Sequence, residues 1–204
     1  MRRILAPVLA SVLLLAACGG GGGEEEAASG ISIDTKFGSV EVPKDPKKVV
    51  ALGWGDAETA LAVGVQPVGA SDWVEFGGKG VGPWAEDLYE QAPEIIDTME
   101  PDFEKIAALE PDLILDTKSS GEQERYDRLS EIAPTVGAPE GGDNYLTTMD
   151  QQVNLVSQAL GKEDEGKKVL EELDKKYEAA RKAHPEFDGK SVSVAAKTSE
   201  GWGA

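Results

Sequence analysis

Tryptophans and small polar residues recur just after short apolar runs in this sequence. Trp54-Gly55-Asp56 follow residues 49–52, Ser71-Asp72-Trp73 follow 67–70, and Asp116-Thr117-Lys118 follow 113–115. Indole rings with a few polar neighbours break no bonds by themselves; they stack on flat or apolar ligands while the polar groups orient them. The same two tryptophans would serve equally well as packing residues. The parts needed for other chemistry are missing. The single histidine, His184, stands beside Pro185, and the single cysteine is Cys18, so the chain lacks the several imidazoles or thiolates that hold bare zinc or manganese. His184 reads instead as a partner for a helix C-terminus. Ser119-Ser120-Gly121 lacks the glycine that would precede the serine in a nucleophile elbow. The glycine run 19–23 and Gly77-Gly78-Lys79-Gly80 both fail the spacing of a phosphate loop. The acidic pairs scattered over the predicted helices have no spacing that suggests glycoside chemistry. The residues point to capture of a ligand, with no catalytic residues, no intrinsic cofactor and no metal site.

The elements that must position these residues follow from periodicity. Residues 49–52 are an unbroken apolar run, as a strand buried on both faces requires, and Gly53 ends it. Asp56 stands at the N-cap position of a helix whose apolar face is Ala57, Ala60 and Leu61, with Gly64 as its stop. A second short strand over 67–70 completes a strand-helix-strand crossover, expected to be right-handed with parallel strands. Ligands of such sheets bind beyond the carboxyl ends of the strands, where Trp54 and Trp73 fall. Residues 31–34 and 39–42 alternate around Lys36-Phe37-Gly38 as a hairpin. Residues 74–93, including Trp84, read as a long irregular segment of the kind that is functional or mobile.

Pro101-Asp102 opens a helix with Phe103, Ile106, Ala107 and Leu109 on one side. Residues 113–115 are the next buried strand, 122–132 a helix striped by Tyr126, Leu129 and Ile132, and 134–136 a return to the sheet. Further helices are expected over 146–160 and over 163–184. The second carries Val169, Leu170, Leu173, Tyr177 and Ala180 at helical spacing. Residues 191–196 alternate like a new strand that would lack partners, so the sequence reads as the front part of a longer protein.

The formal net charge is −18. That excludes nucleic acid as a partner, because no basic surface exists to displace phosphate counterions. Arg2 and Arg3 precede an apolar stretch over 4–17 that is too short to span a bilayer and suits a signal-peptide core. Leu15-Ala16-Ala17-Cys18 resembles a bacterial lipobox, in which the cysteine is lipidated. The diacylglyceryl group supplies the two chains that stable anchoring needs. Residues 19–30, glycines and glutamates without apolar content, read as a flexible tether.

Taken together, the lipobox, PKKVVALGWGDAETALAVGVQPVGASDW, LEPDLIL and ERYDRLSEIAPTV resemble the iron-siderophore substrate-binding lipoproteins of bacterial ABC importers, which share their fold with cobalamin-binding importer proteins. The resemblance runs from Cys18 to the end. It implies an α/β, periplasmic-binding-protein-like first lobe over 31–162, with a central parallel sheet flanked by helices. A long inter-lobe helix over 163–187 would follow, and a second lobe would begin over 188–204. It implies a lipid-anchored protein on the extracytoplasmic face of the cell membrane, capturing a ferric siderophore in an inter-lobe cleft and delivering it to a permease and its ATPase. Trp54, Gly55, Asp72, Trp73, Thr117 and Lys118 match the ligand-facing loops, with Trp84 and Tyr145 beside them. Glu122 or Glu124 matches the acidic residue that meets permease arginines. A single stiff helix between lobes would permit only a modest change in cleft width. With only Lys118 and Lys79 as visible cations, a neutral or cationic hydroxamate complex fits better than an anionic catecholate. The alternatives are another chelate, cobalamin or haem, or a surface module that has lost its ligand.

Overall fold

The computed structural model describes residues 30–198 and 201–203, with side chains through 195. The predicted signal peptide (1–18), its lipidated Cys18 and all but the last residue of the tether (19–30) lie outside the described residues. Five strands form one parallel sheet: β3 (Val49–Ala51), β4 (Gly69–Ser71), β5 (Glu94–Ile96), β6 (Leu113–Leu115) and β7 (Thr135–Val136). An antiparallel hairpin of β1 (Ile31–Thr35) and β2 (Gly38–Val42) precedes them. The sheet order is β5-β4-β3-β6-β7. From β3 the chain steps outward to β4 and β5, then returns to pair β6 on the other side of β3. The strand order therefore reverses between β3 and β6, and a crevice opens outside their carboxyl ends.

The period-two alternation of the strands divides the core into two layers. Val49, Ala51, Leu113 and Leu115 face the layer of α1 (Asp56–Ala62), α4 (Met149–Ala159) and the hairpin, where Ala57, Ala60, Val156 and Ile33 are buried. Val50, Leu52 and Ile114 face α2 (Phe103–Ala108) and α3 (Gln123–Ser130), meeting Ile106 and Leu129. Burial on both faces explains why these strands read as continuous apolar runs, and each fully buried Leu or Ile contributes about 1.5–3 kcal/mol.

Several boundaries differ from expectation for local reasons. Gly55, in the left-handed region at φ 78°, is the N-cap of α1, and Asp56 is its first helical residue. Asp56 does not cap because its carboxylate is spent elsewhere, as described below. The helix expected over 146–160 begins at Met149, since Thr148 and Gln151 form a reciprocal capping box and Leu146 stays exposed. Strand β5 was not expected, because only Ile96 of its three residues is buried. Asp102 caps α2 as predicted, accepting from the Glu104 and Lys105 amides at 3.0 Å.

Helix α5 (Glu163–Ala183) carries acids in its first turn and Arg181 and Lys182 in its last, complementing its dipole. It docks on α4 through Gly166 and Val169, and from Asp174 onward every residue is exposed, Tyr177 included. The strand expected over 191–196 is absent from 191–195, where Val192 and Val194 are exposed. A short antiparallel hairpin, β8 (Ala196–Thr198) with β9 (Gly201–Gly203), forms instead, apart from the parallel sheet.

Candidate functional site: an aromatic row at the sheet's carboxyl edge

The glycines at the end of β3 allow its loop to press against that of β6. A Cβ on Gly53 would overlap the Asp56 carboxylate and lie 2.7 Å from the Lys118 amide nitrogen, so only glycine fits. Trp54 N–H donates to the Lys118 carbonyl at 2.9 Å, joining the two loops across the crevice.

Asp56 is the buried hub beneath. One oxygen accepts from the Thr117 amide at 2.8 Å, and the other accepts from the Thr117 hydroxyl at 2.5 Å and from Gln152 Nε2 at 2.6 Å. Gln152 also donates to the Trp54 carbonyl at 2.8 Å. Complete burial pushes the Asp56 carboxyl up to about 6, with the hydrogen bonds from Thr117 and Gln152 pulling against it. Thr117, expected on the ligand surface, is itself fully buried and its hydroxyl is committed to Asp56, so it supports the edge from below.

Above this hub runs a row of rings. Tyr145 stacks on Trp54 at 4.1 Å between centroids, and Trp54 stacks on Trp73 at 5.5 Å. Trp73 meets Phe76 edge-on at 6.3 Å, and Phe76 meets Trp84 edge-on at 5.6 Å. Trp84 is 74% exposed at the far end, with its ring laid over Gly82. Trp73 is fixed from behind, its indole N–H donating to Glu58 at 3.2 Å, and burial raises the Glu58 carboxyl.

Asp72 shapes the loop that carries these rings, accepting from the Phe76 and Gly77 amides at 2.8 and 2.7 Å. Lys79, expected as a free cation, is spent on the Glu86 and Tyr89 carbonyls at 3.1 and 2.6 Å. Lys118 is half-buried at the end of β6. Glu122 and Glu124 are exposed at the start of α3, on the rim of a groove that also holds Tyr145 and Met99.

Spacing alone did not reveal Phe76, Met99, Gln152 or Arg125. Phe76 lies in the long segment singled out by its length. Gln152 and Arg125 reach the edge from helices. Arg125 forms an ion pair with Asp116 at 2.9 Å and donates to the Thr98 carbonyl at 3.2 Å, linking the loops after β5 and β6. Burial lowers the Arg125 guanidinium, and the charge and hydrogen bonds of Asp116, with smaller help from Tyr145 and Glu122, together outweigh it and raise it.

The aromatic row lies at the switch point of a parallel sheet, where α/β sheets hold their ligands. Residues 49–203 match the periplasmic binding protein family, to which this chain belongs. Among its relatives is the probable siderophore-binding lipoprotein YfiY of Bacillus subtilis, 34% identical over 76% of this chain and 46% of the relative. Streptococcus pneumoniae PiaA, solved in complex with ferrichrome, superposes with a TM-score of 0.69 at 31% identity, over 81% of this chain and 56% of PiaA. Staphylococcus aureus SirA, complexed with staphyloferrin B, gives a TM-score of 0.67 at 30% identity, over 80% of this chain and 54% of SirA. The chain spans about half the length of the curated relatives it matches.

Proposed function

We propose that this chain supplies one wall of a ferric-siderophore binding cleft in the lipid-anchored substrate-binding component of an ABC importer. The observation that carries this reading is the row from Tyr145 through Trp54 and Trp73 to Trp84, set on the sheet's carboxyl edge at the switch point. Half-buried rings there, with Trp84 exposed at the end of the row, suit the organic shell of a chelate whose iron is already coordinated. The ferric ion is cargo, and the protein's task is to desolvate and hold its wrapping.

In this reading Trp54, Trp73, Trp84 and Tyr145 touch the ligand, while Gly55, Asp72 and Thr117 shape the loops and Lys118 stands at the rim. Helix α5, with residues 184–187 after it, leaves the lobe as the stiff connection over 163–187 to a second wall, and 188–204 begin that wall. Glu122 and Glu124, exposed at the start of α3, would meet cationic side chains of a permease coupled to its ATPase. Cys18 carries the lipid that keeps the protein at the extracytoplasmic face of the membrane.

The test is titration of the full chain with a panel of ferric siderophores, following tryptophan fluorescence and melting temperature. Quenching that saturates, and that weakens at least about tenfold in Trp54→Ala, supports the reading, since a stacked aromatic contact contributes about 0.5–1.5 kcal/mol beyond its buried area. Unaltered fluorescence and melting temperature across the panel overturn it.

A further inference from the structure

Two troughs run along the carboxyl edge and meet at Met99. The first lies beside Trp54 and Trp73 and is bounded by three carboxylates, Asp72, Glu75 and Asp97, with no cation in its lining. Two of the three are engaged. Asp72 holds the Phe76 and Gly77 amides, and Asp97 accepts from the Met99 and Glu100 amides at 2.9 and 2.8 Å. Glu75 is exposed, stands in the left-handed region at φ 55°, and has no side-chain partner among the described residues.

The second trough sets five carboxylates against Arg125 and Arg128. Arg125 is neutralised by Asp116. Arg128, over the Phe103 ring at 3.6 Å, keeps its charge and is outnumbered by the five carboxylates. With Lys79 spent on backbone carbonyls, Lys118 is the one cation of the expected pair that remains, and it lines neither trough. The stacking surface is therefore apolar and its surroundings are negative. A polyanion held there meets uncompensated repulsion, on the order of fivefold in affinity per close charge pair in water and more as the cleft dries.

We propose, building on the reading of this edge as a chelate-binding wall, that it selects an uncharged or cationic ferric chelate over an anionic one, with Glu75 as the residue that sets the preference. The carboxylates are not the binding site; the rings are, and the charges decide which wrapping is tolerated. A chelate bearing a protonated amine would place it near Glu75, whereas a tris-catecholate or citrate complex would bring negative charge against it.

The experiment titrates the full chain with three ferric complexes at two ionic strengths: a neutral trihydroxamate, a monocationic trihydroxamate with a free amine tail, and a trianionic tris-catecholate. The expected order is cation about fivefold tighter than neutral, with the trianion about tenfold weaker than neutral or worse and its deficit shrinking as salt screens the repulsion. Glu75→Gln should lower the cation-to-neutral affinity ratio about fivefold, and Glu75→Lys should carry it below unity. Equal movement of all three affinities would mark Glu75 as merely structural and overturn its assignment. A trianion bound as tightly as the neutral complex would overturn charge selection while leaving chelate capture standing. Binding of none of the three would overturn both.

Discussion

Tyr145 lies face to face with Trp54, ring centroids 4.1 Å apart and planes 24° from parallel, although 91 positions separate them in the chain. It reaches this place on a strained backbone: Asn144 and Tyr145 occupy the left-handed region in succession, at φ 54° and 63°. A bulky residue there costs on the order of 1 kcal/mol, and the stack with Trp54 offsets a similar amount. Tyr145→Ala keeps the strain and loses the ring, whereas Tyr145→Gly loses both. The glycine variant is therefore expected to be about 1 kcal/mol more stable than the alanine variant by urea denaturation. If the row is the proposed chelate-binding wall, both should bind a ferric chelate more weakly than the parent. Equal stability of the two variants would show that the backbone is not strained.

The ion pair of Arg125 with Asp116 is expected to matter more when half-broken than when removed. Both side chains are largely buried, at 11% and 4% exposure. Arg125→Met strands a buried carboxylate and should destabilise the lobe by about 3–5 kcal/mol. Pairing it with Asp116→Leu should recover most of that loss, because two apolar groups replace two desolvated charges. A double-mutant cycle in guanidinium chloride reads the difference, and a double variant no more stable than Arg125→Met would refute it.

Asp56 makes a prediction in pH. Its folded value, near 6, stands above the ordinary 3.8, so the folded state holds a proton that the unfolded chain has released between those values. Stability from this group is accordingly present in full below about pH 4 and is lost as pH rises through 6, by roughly 2–3 kcal/mol. Asp56→Asn, which cannot ionise, removes this slope. It also sets an amide N–H against the Thr117 or Gln152 donors, so it should be less stable at low pH, with the gap to the parent narrowing from pH 4 to 7. Parallel stability curves for the two proteins would contradict the assignment.

The sheet and the position of both tryptophans were legible because parallel strands buried on two faces leave unbroken apolar runs, and residues after such strands share one edge. Trp54 and Trp73 thus stand side by side as their positions required. What stayed hidden depends on partners remote in sequence. Thr117 looks like a surface hydroxyl until Asp56, 61 residues earlier, is seen to claim it. Lys79 looks like a free cation until the folded loop presents two carbonyls to it. Strand β5 is held by β4 on one side only, so just Ile96 bears the signature of burial. The start of α4 is a different case: Thr148 and Gln151 carried the capping-box spacing, and the apolar Leu146 outweighed it.

Gly166 sets how closely α5 approaches α4, and with it the direction in which the long helix leaves the lobe. By propensity alone, Gly166→Ala within a helix should stabilise the protein by about 1 kcal/mol. The contact reverses that sign. A Cβ at 166 would overlap the Ser157 hydroxyl and come within 2.6 Å of Ser157 Cβ, a collision with a side chain on the facing helix that no rotamer relieves. The helices must separate, opening the packing of Val169 against the core, at a cost of about 1–3 kcal/mol. Ser157→Gly empties the space that the new methyl needs. It should cost stability alone, yet restore much of the loss in the Gly166→Ala background. Thermal melts of the parent, both single variants and the double variant read this coupling. An alanine at 166 that stabilises the parent would mean the two helices can part without loss, and that α5 is free to leave the lobe in more than one direction.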